Sequence, residues 1–162
     1  MIKNFRFEYH VYNQNDALNE EHKTLLYAAK DAQLRAYAPY SMFTVGAAIY
    51  LANGTIITGN NQENAAYPSG LCAERVAIFS AKSQFPDIAI SSIAIYAGND
   101  KFPLSIPVSP CGACRQSILE YELLQKSPIE VLLASHVSPI YLIPSIKFLL
   151  PLHFEEDRLR KE

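Results

Sequence analysis

Apolar and polar residues alternate at the start of the chain. Phe5, Phe7, Tyr9 and Val11 fall on one side of "FRFEYHVY", which predicts a short N-terminal strand over 5–12. The period then lengthens. Between Asp16 and Ala36, the residues Leu18, Leu25, Ala29, Ala32 and Ala36 recur mostly at helical intervals, with Asp16 as the expected cap. "YAPYS" ends that helix. In "FTVGAAIYLANGTIITGN" two apolar runs are joined by Asn53-Gly54, a strong hairpin signal. The stretch "NNQENAAYPSG" is polar and rich in turn residues, and reads as an ordered loop. "LCAERVAIFSAKSQF" predicts a helix starting near Cys72, and "ISSIAIYAG" a buried strand. A loop with Pro103, Pro107 and Pro110 leads into a further helix, "CGACRQSILEYELLQ". "PIEVLLAS" and "PIYLIP" are expected strands, and "SIKFLLPLHF" closes the fold. Strands alternating with helices after a hairpin predict an α/β protein, a three-layer α/β/α sandwich with a mixed sheet. The expected organisation is one domain over 1–162, with an N-terminal extension at 1–15 and a charged tail at 155–162.

Composition narrows the class. With 162 residues, 49% hydrophobic and 19% charged, and a mean hydropathy near zero, the chain has a core large enough to fold without disulfides. No apolar run reaches the roughly 18 residues that a membrane-spanning helix needs. The most apolar segment, "YLIPSIKFLLPL", is interrupted by Lys147 and by prolines. The N-terminus lacks the apolar core of a signal peptide, and three cysteines do not make a disulfide framework. A cytoplasmic protein is expected. The net charge is −2 and no basic cluster occurs, which argues against a polynucleotide partner and for a small neutral ligand.

Candidate chemistry centres on "SPCGACRQS", residues 109–117, which holds two of the three cysteines. Cys111 and Cys114 form a C-x-x-C, open on its own to a redox pair, a structural zinc clip or two buried thiols. Their spacing puts both sulfurs on one face of a first helical turn. Cys72 stands at the start of the other helix. Helix N-termini favour thiolates, and three thiolates leave one position of a tetrahedral zinc site open, as catalytic sites do. Two residues past Cys72 comes Glu74, a carboxylate placed to shuttle a proton.

"CAE" and "PCGACRQ" together resemble the zinc-dependent nucleoside deaminases, and the longer stretches resemble cytidine deaminases. Those stretches are "AYAPYSMFTVGAA", "GNNQENAAYPSGLCAERVAIFSA", "SPCGACRQSILEY" and "FLLPLHF", in order over about three quarters of the chain. The resemblance implies one zinc per subunit held by Cys72, Cys111 and Cys114, which uses every cysteine. It also implies a zinc-activated water, with Glu74 carrying the proton to the cytosine ring. Asn61 and Glu63 match residues that bind the ribose, Phe43 one that packs against the base. Backbone groups near Ala73 and Ser109 are expected on the pyrimidine edge. Arg75 matches an arginine that contacts ligand sulfurs and offsets the negative charge of three thiolates on a dication. Phe154 matches a residue that reaches a neighbouring subunit's site, so a homotetramer is implied.

The implied activity is hydrolytic deamination of cytidine and 2′-deoxycytidine, with no membrane or nucleic-acid partner. Competing readings are a deaminase for a nucleoside antibiotic such as blasticidin S, a polynucleotide-editing deaminase, and a non-catalytic zinc-stabilised binding protein. The chain departs from the family in its first fifteen residues and between Ala134 and Lys147. His10, His22, His136 and His153 have no ligand-like spacing and read as structural or surface residues.

Overall fold

The computed structural model describes residues 1–13, 17–98, 101 and 103–155. In chain order its elements are β1 (His10–Tyr12), α1 (Glu20–Gln33), β2 (Val45–Leu51), β3 (Ile56–Asn60), α2 (Ala73–Gln84), β4 (Ile90–Ala97), α3 (Gly112–Gln125), β5 (Glu130–Ala134) and β6 (Ile140–Ile143). Two 3₁₀ turns, Tyr67–Ser69 and Ile146–Leu149, complete the set. The strands form one sheet in the order β1-β6-β5-β4-β2-β3, with β4 and β5 parallel and every other pair antiparallel.

Strand alternation divides the core in two. Ala47, Ile49, Ile93, Ile95, Val131 and Leu133 point to one face, where they meet Ala77 and Ile78 of α2 and Ile118 and Leu119 of α3. Ala48, Ala94, Tyr96, Leu132 and Leu142 point to the other, beneath Leu25, Leu26 and Ala29 of α1. The predicted three-layer α/β/α sandwich with a mixed sheet is the fold observed. The central strands read as near-continuous apolar runs because both of their faces are covered.

Two glycines set the spacing of these layers. A Cβ on Gly46 of β2 would collide with the backbone of α1 at Ala29 and Gln33. One on Gly59 of β3 would sit 2.5 Å from Ala77 N and 2.7 Å from Ala73 O, in the first turns of α2. Both helices therefore lie closer to the sheet than any larger residue permits.

Several element boundaries differ from the sequence expectation. The N-terminal strand is confined to His10–Tyr12, paired with β6. Phe5, Phe7 and Tyr9 instead lay their rings along Phe148 and Tyr141, with centroids 5.9 Å apart for Phe7–Phe148 and 5.0 Å for Tyr9–Tyr141. Asp16 lies outside the described residues. The cap of α1 is Asn19, whose Oδ1 accepts from His22 N at 2.7 Å. That helix ends at Gln33, and the apolar spacing to Ala36 continues only as tight turns, Arg35 N to Ala32 O and Ala36 N to Gln33 O. The Asn53-Gly54 signal does form a hairpin, built as a three-residue loop. Gly54 takes the left-handed conformation (φ 85°) and its N–H donates to Leu51 O at 2.8 Å.

Candidate active site

Helices α2 and α3 start side by side on the same face of the sheet, and both begin at a cysteine. Cys72 and Cys111 are the cap residues, each with extended backbone (ψ 152° and 166°), and neither sulfur is engaged in capping. Their side chains are free to turn toward a common point. Cys114, in the first turn of α3, faces the same point from a fully buried position. The Sγ atoms are 3.9 Å apart for Cys72–Cys111 and 3.5 Å for Cys111–Cys114, and all three lie within 4.8 Å of one another. A tetrahedral zinc with Zn–S bonds of about 2.3 Å requires sulfurs about 3.8 Å apart, so this donor set fits that ion. All three thiols are free of disulfides.

The surroundings favour negative charge at the cluster. The Cys72 thiol is pushed down to about 5, chiefly by the hydrogen bond from the Cys114 thiol and then by the Arg75 guanidinium, against the opposing effect of burial. Cys114, as the donor in that pair and buried besides, is pushed up. Burial works against the charge on Arg75, but the neighbouring Cys72 and Cys114 sulfurs outweigh it and hold the guanidinium pKa up. Arg75 Nε is buried and has no hydrogen-bond acceptor of good geometry. The Cys72 and Cys114 sulfurs and the Glu74 carboxyl are among its electrostatic partners.

Glu74 occupies the first turn of α2, only 5% exposed, with its carboxyl near the Cys72 and Cys114 sulfurs. Burial is the main reason its carboxyl is pushed above the usual carboxylate range. A buried carboxyl beside a metal-binding cluster can take up a proton and release it.

Beyond the sulfurs opens a cleft of about 600 Å³ lined by Cys72, Arg75, Asn61, Glu63, Tyr40, Ser41 and Tyr67, among others. A slightly larger groove, about 660 Å³, lies at the far ends of α2 and α3 against Phe79, Tyr121 and Leu124, away from the thiols. The loop carrying Asn61 and Glu63 is fastened on two sides. Tyr37 N donates to Asn61 O and Glu63 N to Tyr37 O, while Gln62 and Leu71 exchange N–H···O bonds of 2.9 Å. The second pair sets the loop directly beside Cys72.

Sequence reasoning places Asn61 and Glu63 here, and the structure adds how they are held. Asn61 Oδ1 accepts from Val45 N at 2.8 Å, and Nδ2 donates to Phe43 O at 2.9 Å. This leaves the amide one N–H and one lone pair. The Glu63 carboxylate accepts from Tyr40 N (2.9 Å), Ser41 N (3.3 Å) and Ser41 Oγ. Those bonds, the Ser41 hydroxyl first and the Tyr40 N–H second, hold its pKa below the usual range. Ser41 and Tyr40 are site residues that the sequence reading did not single out, although "APYSMF" stood within a recognised stretch. They brace a turn in which Met42 is left-handed (φ 58°), and that turn presents the half-buried Phe43. Ala73 is fully buried at the start of α2, and Ser109 is exposed ahead of Pro110. Phe154 is 65% exposed and does not line this chain's own cleft; its carbonyl accepts from Gln116 Nε2 at 3.1 Å. Of the histidines, His22 is buried and pairs through Nε2 with Glu130 at 2.9 Å, a structural contact.

Fold and site together define an α/β/α enzyme class with a cysteine-based zinc-binding cluster at two adjoining helix starts. A profile described as "Cytidine and deoxycytidylate deaminase zinc-binding region" matches residues 19–127, more than half of the chain, and the protein belongs to that family. It is similar to a cytidine deaminase of Sporosarcina psychrophila, with 45% identity over 97 residues, 60% of this chain and 67% of that one. A cytidine deaminase of Halalkalibacterium halodurans is 42% identical over 100 residues, covering 62% and 71% of the two chains. Among solved structures, the Burkholderia pseudomallei cytidine deaminase superposes with a TM-score of 0.70 at 38% identity, over 82% of this chain and 98% of that one. The Mycobacterium tuberculosis enzyme gives 0.65 at 30%, over 85% and 99%. No helix among the described residues is long and apolar enough to cross a membrane.

Proposed function

We propose that this protein is a cytidine deaminase, hydrolysing cytidine and 2′-deoxycytidine to uridine and 2′-deoxyuridine with release of ammonia. The observation that carries the proposal is the buried Glu74 carboxyl beside three convergent thiols, one of which, Cys72, lines the same cleft as Asn61 and Glu63. The relatives named cytidine deaminase support it.

Cys72, Cys111 and Cys114 would hold a zinc ion, which when bound would supply Lewis-acid polarisation of a water. The protein's own groups do the rest. Glu74 takes a proton from the water as the water oxygen bonds to the amino-bearing carbon of the cytosine ring, and delivers that proton to the adjacent ring nitrogen. It then carries the proton of the new hydroxyl to the amine, so that the C–N bond breaks, ammonia leaves and a carbonyl remains. Its position out of solvent lets one carboxyl act in both directions. Arg75 and the N-termini of α2 and α3 offset the net negative charge that three thiolates leave on a dication. Asn61 and Glu63 offer their remaining N–H and lone pairs to the sugar, chiefly its 3′-hydroxyl, so both sugars are accepted. Phe43 packs against the base, and backbone groups at Ala73 and Ser109 meet its polar edge.

Phe154 is exposed on its own chain and suits a role in a neighbouring copy's site, within a homotetramer of single-domain subunits each carrying one zinc. The test is ammonia release from cytidine, 2′-deoxycytidine, cytosine and blasticidin S, with Glu74→Ala alongside. Release from both nucleosides but not the free base, abolished in the variant, is the expected result. Zinc-loaded protein that is inactive on both nucleosides would overturn the assignment.

A further inference from the structure

The turn bearing Cys111 and Cys114 is not held by α3 alone. As cap of that helix, Cys111 satisfies none of its free N–H groups with a side-chain bond. Arg115, the residue after Cys114, supplies a tie of another kind. Its Nε donates to Pro110 O and its Nη1 to Leu149 O, both at 2.8 Å. Pro110 immediately precedes Cys111, so the first bond closes a ring across the stretch that contains both thiols. The second grips the end of the 3₁₀ turn Ile146–Leu149. The next residue, Gln116, holds Phe154 O at 3.1 Å. Two consecutive side chains of α3 thereby fix both ends of the segment 149–154.

Leu149 and Leu150 pack against the core, and beyond them the segment has few ties among the described residues. Leu152 is left-handed (φ 55°), and Leu152 and Phe154 are exposed. Its other polar contacts among the described residues are local: Leu150 N to Lys147 O, His153 Nδ1 with Leu150 O at 3.3 Å, and His153 Nε2 with Glu155 at 3.4 Å. A guanidinium is planar and its N–H directions are fixed relative to one another. Fixing the Pro110 carbonyl therefore fixes where the other arm of Arg115 can place Leu149.

We infer that Arg115 is a positioning residue for the metal centre, and that through it metal occupancy and order in residues 149–154 are coupled. The inference rests on the reading of the three cysteines as zinc ligands. Metal that fixes the two-cysteine turn orders the segment, and by linkage an ordered segment favours metal retention by the same factor.

The experiment uses the full-length, zinc-loaded protein and reads three quantities besides turnover. These are zinc content, the rate of zinc release to a chromophoric chelator, and amide hydrogen exchange over 149–154 with and without metal. Wild type is expected to hold one zinc, with exchange over 149–154 rising when the metal is removed. Arg115→Ala releases zinc about 10–100-fold faster, the range for loss of a group that orients metal ligands. In that variant exchange over 149–154 is already high and insensitive to metal. Arg115→Lys, which can reach only one of the two carbonyls, falls between, and it decides the question where Arg115→Ala does not fold. Zinc release at the wild-type rate in the Arg115 variants overturns the inference alone, as does wild-type exchange that ignores the metal. A wild-type protein that binds no zinc overturns both the inference and the metal reading beneath it.

Discussion

Replacing Gly59 with alanine tests whether the closeness of β3 to α2 sets the geometry of the site. The added methyl meets backbone only: Ala77 N at 2.5 Å, Ala73 O at 2.7 Å and Ala77 Cα at 3.0 Å. No side chain can swing aside, so α2 itself must retreat by roughly an ångström to restore ordinary contact. Two costs follow. Overpacking of this kind destabilises by about 1–3 kcal/mol, lessened a little by the lower chain entropy of alanine in the unfolded state. The turn that retreats also carries Cys72 and Glu74, and a displacement near 1 Å in a reacting group costs on the order of 100-fold in rate. The assay pairs urea unfolding with initial rates of ammonia release from cytidine, with bound zinc measured on each preparation. Gly54→Ala is the control. Its left-handed backbone (φ 85°) makes it destabilising too, but it sits at the far tip of the hairpin, so its rate should match wild type. If Gly59→Ala loses stability yet turns over within twofold of wild type, the close contact is packing alone and the reasoning fails.

Three further outcomes are expected. Glu74→Gln should keep zinc yet lower turnover by about 10²–10⁴-fold, as ammonia release and metal analysis on one sample will read; unaltered turnover removes Glu74 from the proton path. Glu63 has a folded pKa below its ordinary value of 4.5, so the anchoring it gives the Tyr40–Ser41 turn is complete above that value and lost as pH falls through the depressed one. Ser41→Ala removes the leading cause of the shift, so the KM for cytidine should begin its acid-side rise at a higher pH than in wild type; coincident profiles exclude this. Glu122→Ala strips the acceptor from Ile129 N (2.7 Å), Ile146 N (3.2 Å) and Ser145 Oγ (2.6 Å), and should cost about 2–5 kcal/mol in urea unfolding. Glu122→Gln, which keeps one carbonyl acceptor, should lose less.

What could be read from the chain was local. The hairpin at Asn53-Gly54 and the helices beginning at Cys72 and Cys111 follow from patterns a few residues long, and the thiols converge because those two helix starts adjoin. The proximity of Glu74 to the cluster follows from the same two-residue offset. What escaped the reading depends on partners distant in sequence. Nothing near Asn61 announces that its amide will grip the backbone at Phe43 and Val45, or near Glu122 that its carboxylate will serve loops 7 and 24 residues away. Gly46 and Gly59 sit in strands where a glycine is only unfavourable locally, and a helix packed on the sheet supplies their reason. Phe5, Phe7 and Tyr9 alternate as strand residues do and so predict a longer N-terminal strand, while in the fold their rings are claimed by Phe148 and Tyr141.

The pairing of β1 with β6 joins the first strand among the described residues to the last. His10 lies opposite Leu142 and Tyr12 opposite Ile140, so these backbone bonds bridge well over a hundred residues. On a ribosome, β1 has no strand to pair with until β6 has emerged from the exit tunnel. The interior strands and α1, α2 and α3 can be assembled by then, and β1 is added after them. Until that moment β6 is the open margin of the sheet, and an unpaired strand margin is where one nascent chain can capture another. The extension before α1 therefore replaces the margin at β6 with a strand of only 3 residues, and an edge that short offers a second copy little to pair with.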